Sequence, residues 1–166
     1  MKFTSIAFLA LSLCLPLWGA DKDKPLTLRE VMQLFIGTWD SEMTIIPEGD
    51  PTKAKTSQMI RTRKWTRKKT FVVEQANPDE GIWVLTYDPK NKNYRSVFIT
   101  PEITDNIYGN WDDSKKIMTW HGREDNGSIL KGHHRVIDKD HHEWELSLFN
   151  GDKLLVKLTG KHKRRL

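Results

Sequence analysis

From Gly37 to the C-terminus, apolar residues recur at every second position in short runs that end in turn-forming residues. The runs lie near 38–46, 56–65, 69–76, 81–87, 93–100, 104–111, 115–122, 128–138, 141–149 and 153–160, and each reads as a strand. Pro47-Glu48-Gly49-Asp50-Pro51, Asp88-Pro89-Lys90-Asn91, Asp112-Asp113-Ser114, Asp125-Asn126-Gly127, Lys139-Asp140 and Asn150-Gly151-Asp152 supply turns between them. Many short strands with short links form an antiparallel meander, and closing it removes the exposed edges. The pattern predicts an all-β chain with a single antiparallel up-and-down β-barrel of about ten strands.

One segment has a different period. Thr27 and Glu30 have capping-box spacing, and Leu28, Val31, Met32 and Phe35 then share one helical face before Gly37 ends it. A helix this short is not stable alone, so its apolar face must dock on the barrel.

Turn lengths set which residues face inward. With Asn126-Gly127 and Lys139-Asp140 as two-residue turns, Trp120 pairs with His133, and Arg135 with both Met118 and Trp144. A three-residue loop at Asn150-Gly151-Asp152 pairs Leu146 with Val156. One face then carries Met118, Trp120, Ile137, Trp144, Leu146 and Leu148, with Leu154, Val156 and Leu158 beyond them. The other carries His121, His134, Glu143, Glu145 and Lys157. The apolar face is the inner one, because a slip of one residue would expose all of it. This register puts His133 and Arg135 inside. A buried Arg needs a carboxylate, a carbonyl, water or a ligand anion.

The N-terminus reads as a targeting segment. Lys2 precedes an apolar run from Ile6 to Leu17, too short for a span of about 20 residues. Gly19 and Ala20 precede Asp21-Lys22-Asp23-Lys24, which places cleavage near Ala20 or one residue earlier. The expected division is a signal peptide at 1–20 and a barrel domain at 21–166. The expected location is periplasmic or secreted. Cys14 follows Leu13 rather than a small residue, which argues against lipidation, and it leaves with the signal peptide. The mature chain then has no cysteine and no further run of membrane-spanning length, and its core must stabilise it without disulfides.

Charge adds one feature. From Lys53 to Lys69 there are eight Lys or Arg and no acid, and Lys161-His162-Lys163-Arg164-Arg165 forms a second block. These read as solvated strand faces or as attraction to an anionic envelope surface. Nucleic acid is not an expected partner, since no recognition motif is present.

Several short motifs fall in order along the chain. They are Leu34-Phe35-Ile36-Gly37-Thr38-Trp39-Asp40, Leu85-Thr86-Tyr87-Asp88 with Tyr94, Gly109-Asn110-Trp111-Asp112, and Arg135-Val136-Ile137-Asp138-Lys139-Asp140-His141. With the Gly-x-Trp element Gly37-Thr38-Trp39, they resemble a lipocalin-like (calycin) family of bacterial exported proteins catalogued as a domain of unknown function. The resemblance runs from about Leu28 to Arg165. It implies a ten-stranded lipocalin-like barrel closed at one end by the short N-terminal helix, and no catalytic residues. It also implies a structural set that closes the barrel, in which Arg164 or Arg165 stacks on Trp39 beside Gly37 as a cation–π contact. One departure is Thr66-Arg67-Lys68-Lys69, where the family usually has a Gly-Gly-Arg turn.

Catalytic chemistry finds little support. There is no Gly-x-Ser-x-Gly, no phosphate loop and no cysteine ligand. His133-His134 and His141-His142 are adjacent pairs on strands, so each pair points to opposite faces. Haem-binding barrels of the nitrobindin kind use a barrel histidine, for which His133 is the counterpart, but their C-terminal histidine motif is absent. No metal or cofactor is expected. The leading reading is a protein that binds a small apolar or amphipathic ligand, possibly anionic, inside the barrel. Met118, Trp120, Trp144 and Leu146 line the site, and His133 and Arg135 hold the head group. The rival is a packed barrel that binds polyanions through its Lys53–Lys69 face, Arg61, Arg63, Lys68 and Lys69 included. A hydrolase or isomerase is the third reading.

Overall fold

The computed structural model describes residues 24–75, 81–99, 104–124 and 126–165. The expected signal peptide lies outside them, as does Asp125 of one predicted turn. Helix α1 spans Leu28–Leu34. Ten strands follow: β1 Gly37–Pro47, β2 Lys55–Trp65, β3 Val72–Gln75, β4 Ile82–Asp88, β5 Asn93–Ile99, β6 Thr104–Asp112, β7 Ile117–Arg123, β8 Ile129–Val136, β9 His141–Asn150 and β10 Lys153–Arg164. A short 3-10 turn, Pro51–Lys53, links β1 to β2. Every pairing is antiparallel between chain neighbours, and β1 also pairs with β10, which closes the barrel. The fold is the up-and-down barrel that the two-residue period predicts, and it is consistent with the lipocalin-like architecture that the resemblance implies.

Helix α1 closes one end. The Thr27 hydroxyl accepts from the Glu30 amide and the Glu30 carboxylate accepts from the Thr27 amide, so both orphan donors of the capping box are satisfied. Val31, Met32 and Phe35 turn inward onto Val72, Leu85 and Met118. Leu28, placed on the apolar face by its spacing, is 45% exposed because it lies on the first turn, beyond the barrel rim. The carbonyl of Phe35 accepts from Trp39 Nε1 at 3.2 Å, tying the helix end to β1.

The predicted register fails at β8. The amide of Glu124 donates to the Ser128 carbonyl, and the amide of Ile137 donates to the His141 carbonyl. Both hairpin loops thus hold three residues rather than two. Strand β8 is displaced by one residue against both neighbours, and its two faces exchange. Leu130, His134 and Val136 are buried, whereas Arg135 and Ile137 are exposed. At β9–β10 a two-residue turn with a bulge between Leu154 and Val156 pairs Leu148 with Val156 and Leu146 with Leu158. That differs from the predicted register by two residues, so the faces are kept.

Candidate functional site

The barrel interior has three levels. At the helix end it is dry and apolar, built from Phe35, Trp39, Val72, Leu85 and Met118. At the far end, Met43, Leu146, Leu148, Val156 and Leu158 share the inner face of β1, β9 and β10 with Trp39, yet all are only half-buried. Ile45 on the same face is 37% exposed. Among the described residues, these inward aliphatic groups that still reach solvent form an apolar cup toward that end.

Between the two levels lies a polar belt. Glu74, 1% exposed, accepts from both Arg61 and Arg63, and the Arg63 Nε contact is 2.5 Å. Arg63 also lies over the Trp83 ring at 4.9 Å. Its Nη2 meets His162 Nε2 at 3.3 Å, and His162 Nδ1 meets Ser41 Oγ at 2.6 Å. A guanidinium only donates, so His162 Nε2 accepts, the ring proton sits on Nδ1, and His162 donates to Ser41. The imidazole therefore has no free lone pair to take a proton from Ser41. This pair is not a nucleophile and its base.

His134 and His142 complete the belt, with Nε2 of the first 3.1 Å from Nδ1 of the second. Burial pushes all three histidines down from their ordinary range, and Arg63 adds to the shift in each case. For His142 the value is about 3. All three rings are neutral at neutral pH. Burial works to raise Glu74, but the two guanidiniums outweigh it and hold the carboxyl below its usual range. The belt thus carries two cations against one anion. Nearer the mouth, burial and the neighbouring Glu124 push Asp105 up from its ordinary range.

Three buried nitrogens of the belt have no hydrogen-bond partner among the described residues. They are Arg63 Nη1, Trp144 Nε1 and His142 Nε2. His162 connects them: it bonds Arg63, pairs across the β9–β10 ladder with His142, and lies 6.2 Å from the Trp144 ring. Two of the three are obligate donors. Leaving a buried donor unpaired costs about 1–3 kcal/mol, so an acceptor placed against either donor would stabilise the belt.

The residues singled out from the sequence divide accordingly. Met118, Trp120, Trp144 and Leu146 all face inward, with Met118 in the helix-end core and Trp144 at the belt. His133 pairs with Thr119 and Glu145 on the outer face, and Arg135 is exposed beside Glu143. The structure does not bring these two to the interior; the register shift at β8 puts His134 there instead. Gly37, Trp39 and Arg164 meet at the closed end. The Arg164 guanidinium is 4.1 Å from the Trp39 ring centre and donates to the Ile36 carbonyl at 2.7 Å. Gly37 has φ +142°, and a Cβ there would lie 2.1 Å from Arg164 Nη1. Arg165 is exposed and pairs with Asp40.

Sequence reasoning missed Ser41, Arg61, Arg63, Glu74 and His162 as interior groups, and its register put His142 near the rim, where the structure buries it. Arg61 and Arg63 had been assigned to a solvated basic face, but they alternate with Met59 and Trp65 and so share their inward side. Among the described residues no group of three His, Cys, Asp or Glu side chains is placed to hold a metal ion. A separate depression of about 690 Å³ lies outside the barrel, between the outward side chains of Asp40, Glu42, Ile60, Glu143 and Lys161.

A closed ten-stranded barrel with a polar belt below an open apolar cup defines the class of protein. Within that class the chain belongs to the family described as "Protein of unknown function (DUF1579)", which matches residues 24–161. No curated protein matches the chain. Two solved structures share the fold, each with a TM-score of 0.57. One is a protein of unknown function from the DUF3598 family of Nostoc punctiforme, 9% identical over 87% of this chain; this chain spans 51% of its length. The other is the S-type phycobiliprotein lyase CPES of Guillardia theta, 10% identical over 85% of this chain and 94% of that one. At these identities the likeness is one of fold alone.

Proposed function

We propose that this protein binds one small amphipathic molecule inside the barrel, with an acceptor-rich, anionic end at the belt and an apolar body in the cup. The observation that carries this is the set of unpartnered nitrogens at Arg63, Trp144 and His142 inside a barrel whose inward aliphatics toward the far end are half-exposed. A filled barrel would bury those aliphatics and pair those nitrogens. The belt's excess of cations selects an anion over a cation. Met118 and Trp120 support the floor, and Leu146 and Trp144 form wall. A phycobiliprotein lyase on the same fold is consistent with a barrel that handles a bulky molecule, though it does not define this one.

Export is part of the same reading and rests on Lys2 and the Ile6–Leu17 run. The test is mass spectrometry of the full chain, purified gently from its own cell. The expected result is an excess mass under native conditions that leaves on denaturation, from a molecule that is acidic. The denatured mass should also lack residues 1–20. Protein that carries no excess mass and takes up no acidic amphiphile when offered one would overturn the binding reading. An intact N-terminus would overturn export alone.

A further inference from the structure

The turns at the two ends of the barrel are built from different residues. The closed end carries α1, the turns β2–β3, β4–β5, β6–β7 and β8–β9, and the end of β10. The segments outside the strands there hold eleven Lys and Arg against four carboxylates. The described segments of the open end hold one Lys against Glu48, Asp50, Glu124 and Asp152. The net positive charge of the described turns is therefore polarised along the barrel axis.

The backbone shows the same asymmetry. Among the described residues four non-glycine residues have φ near +54°, and three are lysines on closed-end turns: Lys69, Lys92 and Lys116. Among the described residues of the open end the left-handed positions are Gly49, Gly81, Gly127 and Gly151, with Glu48 the exception. A left-handed residue with a side chain costs about 1 kcal/mol that glycine avoids. Lysine thus stands at three positions where the local backbone favours glycine, all on one end.

The strongest part of this end is the neighbouring pair of turns β2–β3 and β4–β5. Thr86 on β4 donates to the Thr70 carbonyl, so the two turns touch. Arg67, Lys68, Lys69, Lys90 and Lys92 project from them, all exposed and without an ion pair among the described residues; the Asp88 carboxylate in the β4–β5 turn accepts instead from the Lys90 and Asn91 amides. Lys115, Lys116 and Lys139, by contrast, pair with neighbouring acids. Two exposed apolar side chains belong to the same end, Phe71 at 41% in the β2–β3 turn and Leu28 at 45% on α1. A hydrated polymer has no use for them, whereas a lipid surface accepts cations at its headgroups and apolar side chains just beneath.

We infer that the closed end of the barrel docks on a bilayer surface containing anionic phospholipid, with the open cup directed away from it. Lys68, Lys69, Lys90 and Lys92 meet the headgroups, and Phe71 enters the interface. The interior site is not involved.

The test is co-sedimentation of the full chain with phosphatidylcholine vesicles, with and without phosphatidylglycerol. Binding is expected only with phosphatidylglycerol and should weaken as salt is added. Each lysine removed should weaken it by about fivefold, the factor equivalent to a headgroup attraction of about 1 kcal/mol per cation. Lys69→Gly with Lys92→Gly suits both sites, because glycine fits the backbone there. That variant should melt at the same temperature or higher and bind more than tenfold more weakly. Phe71→Ser should weaken the binding that persists at high salt. Equal binding to neutral vesicles, full binding by the double glycine variant, or capture by heparin with none by either vesicle would each overturn the inference.

Discussion

Trp144 lies flat against the bare backbone of Gly160, its directly paired neighbour on β10; a Cβ at Gly160 would stand 2.3 Å from the indole. Gly109 does the same for Trp120, whose ring would be 2.4 Å from an added Cβ. These glycines let large aromatic rings lie along the wall instead of filling the lumen. Gly160→Ala should therefore destabilise the fold by about 1–3 kcal/mol, the usual cost of overpacking, measured as a lower urea midpoint. Adding Trp144→Leu should recover much of that loss. If the single variant is as stable as the parent, the wall does not depend on this contact.

Arg164 closes the base of the barrel by four contacts at once: the Trp39 ring, the Ile36 carbonyl, the Lys139 carbonyl at 2.9 Å and the Asp140 carboxylate at 3.3 Å. Its stem and guanidinium are half-buried, while those of Arg165 are exposed. Arg164→Met should cost about 2 kcal/mol, since charge-assisted hydrogen bonds and a desolvated cation–π contact go together. Arg165→Ala should stay within about 0.5 kcal/mol of the parent, as exposed pairs do. Thermal melts of the two variants check this, and equal losses would contradict it.

Acid should unfold this protein steeply. His134, His142 and His162 are held below their ordinary range in the fold but titrate normally once unfolded. Below about pH 6.5 the unfolded chain takes up protons that the folded chain refuses, so stability present above that pH is lost as pH falls. Each histidine contributes a slope of about 1.4 kcal/mol per pH unit, and the three together about 4, over the window from pH 6 down towards the His142 value of about 3. Glu74, also lowered, steepens the loss at the acid end. Urea titrations at several pH values measure the slope, and His134→Gln should flatten it by about a third. A midpoint unchanged between pH 7 and pH 5 would contradict the neutral cluster.

Strand existence and the closure of the sheet were readable because one face of every strand is buried, which imposes the two-residue period on the sequence. The capping box was readable because it is local. Register was not. Whether Asp138 joins Lys139 and Asp140 in the turn depends on the Asp138 carboxylate accepting from the Asp140 amide at 2.7 Å, a choice that spacing does not reveal. That one residue, repeated at Glu124–Ser128, exchanged His133 and Arg135 for His134 and Val136. The displacement at β9–β10 did no such harm, because it was even. The polar belt was hidden for another reason. Arg61, Arg63 and Glu74 look like surface charges singly, and only the β2–β3 pairing of Arg63 with Glu74 makes their burial affordable.

Arg63 and Arg135 separate the interior site from the surface. Arg63 is buried with Nη1 aimed away from Glu74 and unpartnered, whereas Arg135 stands outside on the displaced strand. With a fluorescent long-chain fatty acid as probe, an acidic amphiphile of the proposed class, Arg63→Met should weaken binding by about tenfold or more, the equivalent of losing a charge-assisted hydrogen bond of about 1.5–3 kcal/mol. Arg61 still balances Glu74 in that variant, so the fold should survive; a circular dichroism melt checks that it does. Arg135→Met should bind the probe as the parent does. Weakened binding in Arg135→Met with none in Arg63→Met would move the site to the outer face, where the depression beside Glu143 would become the place to look.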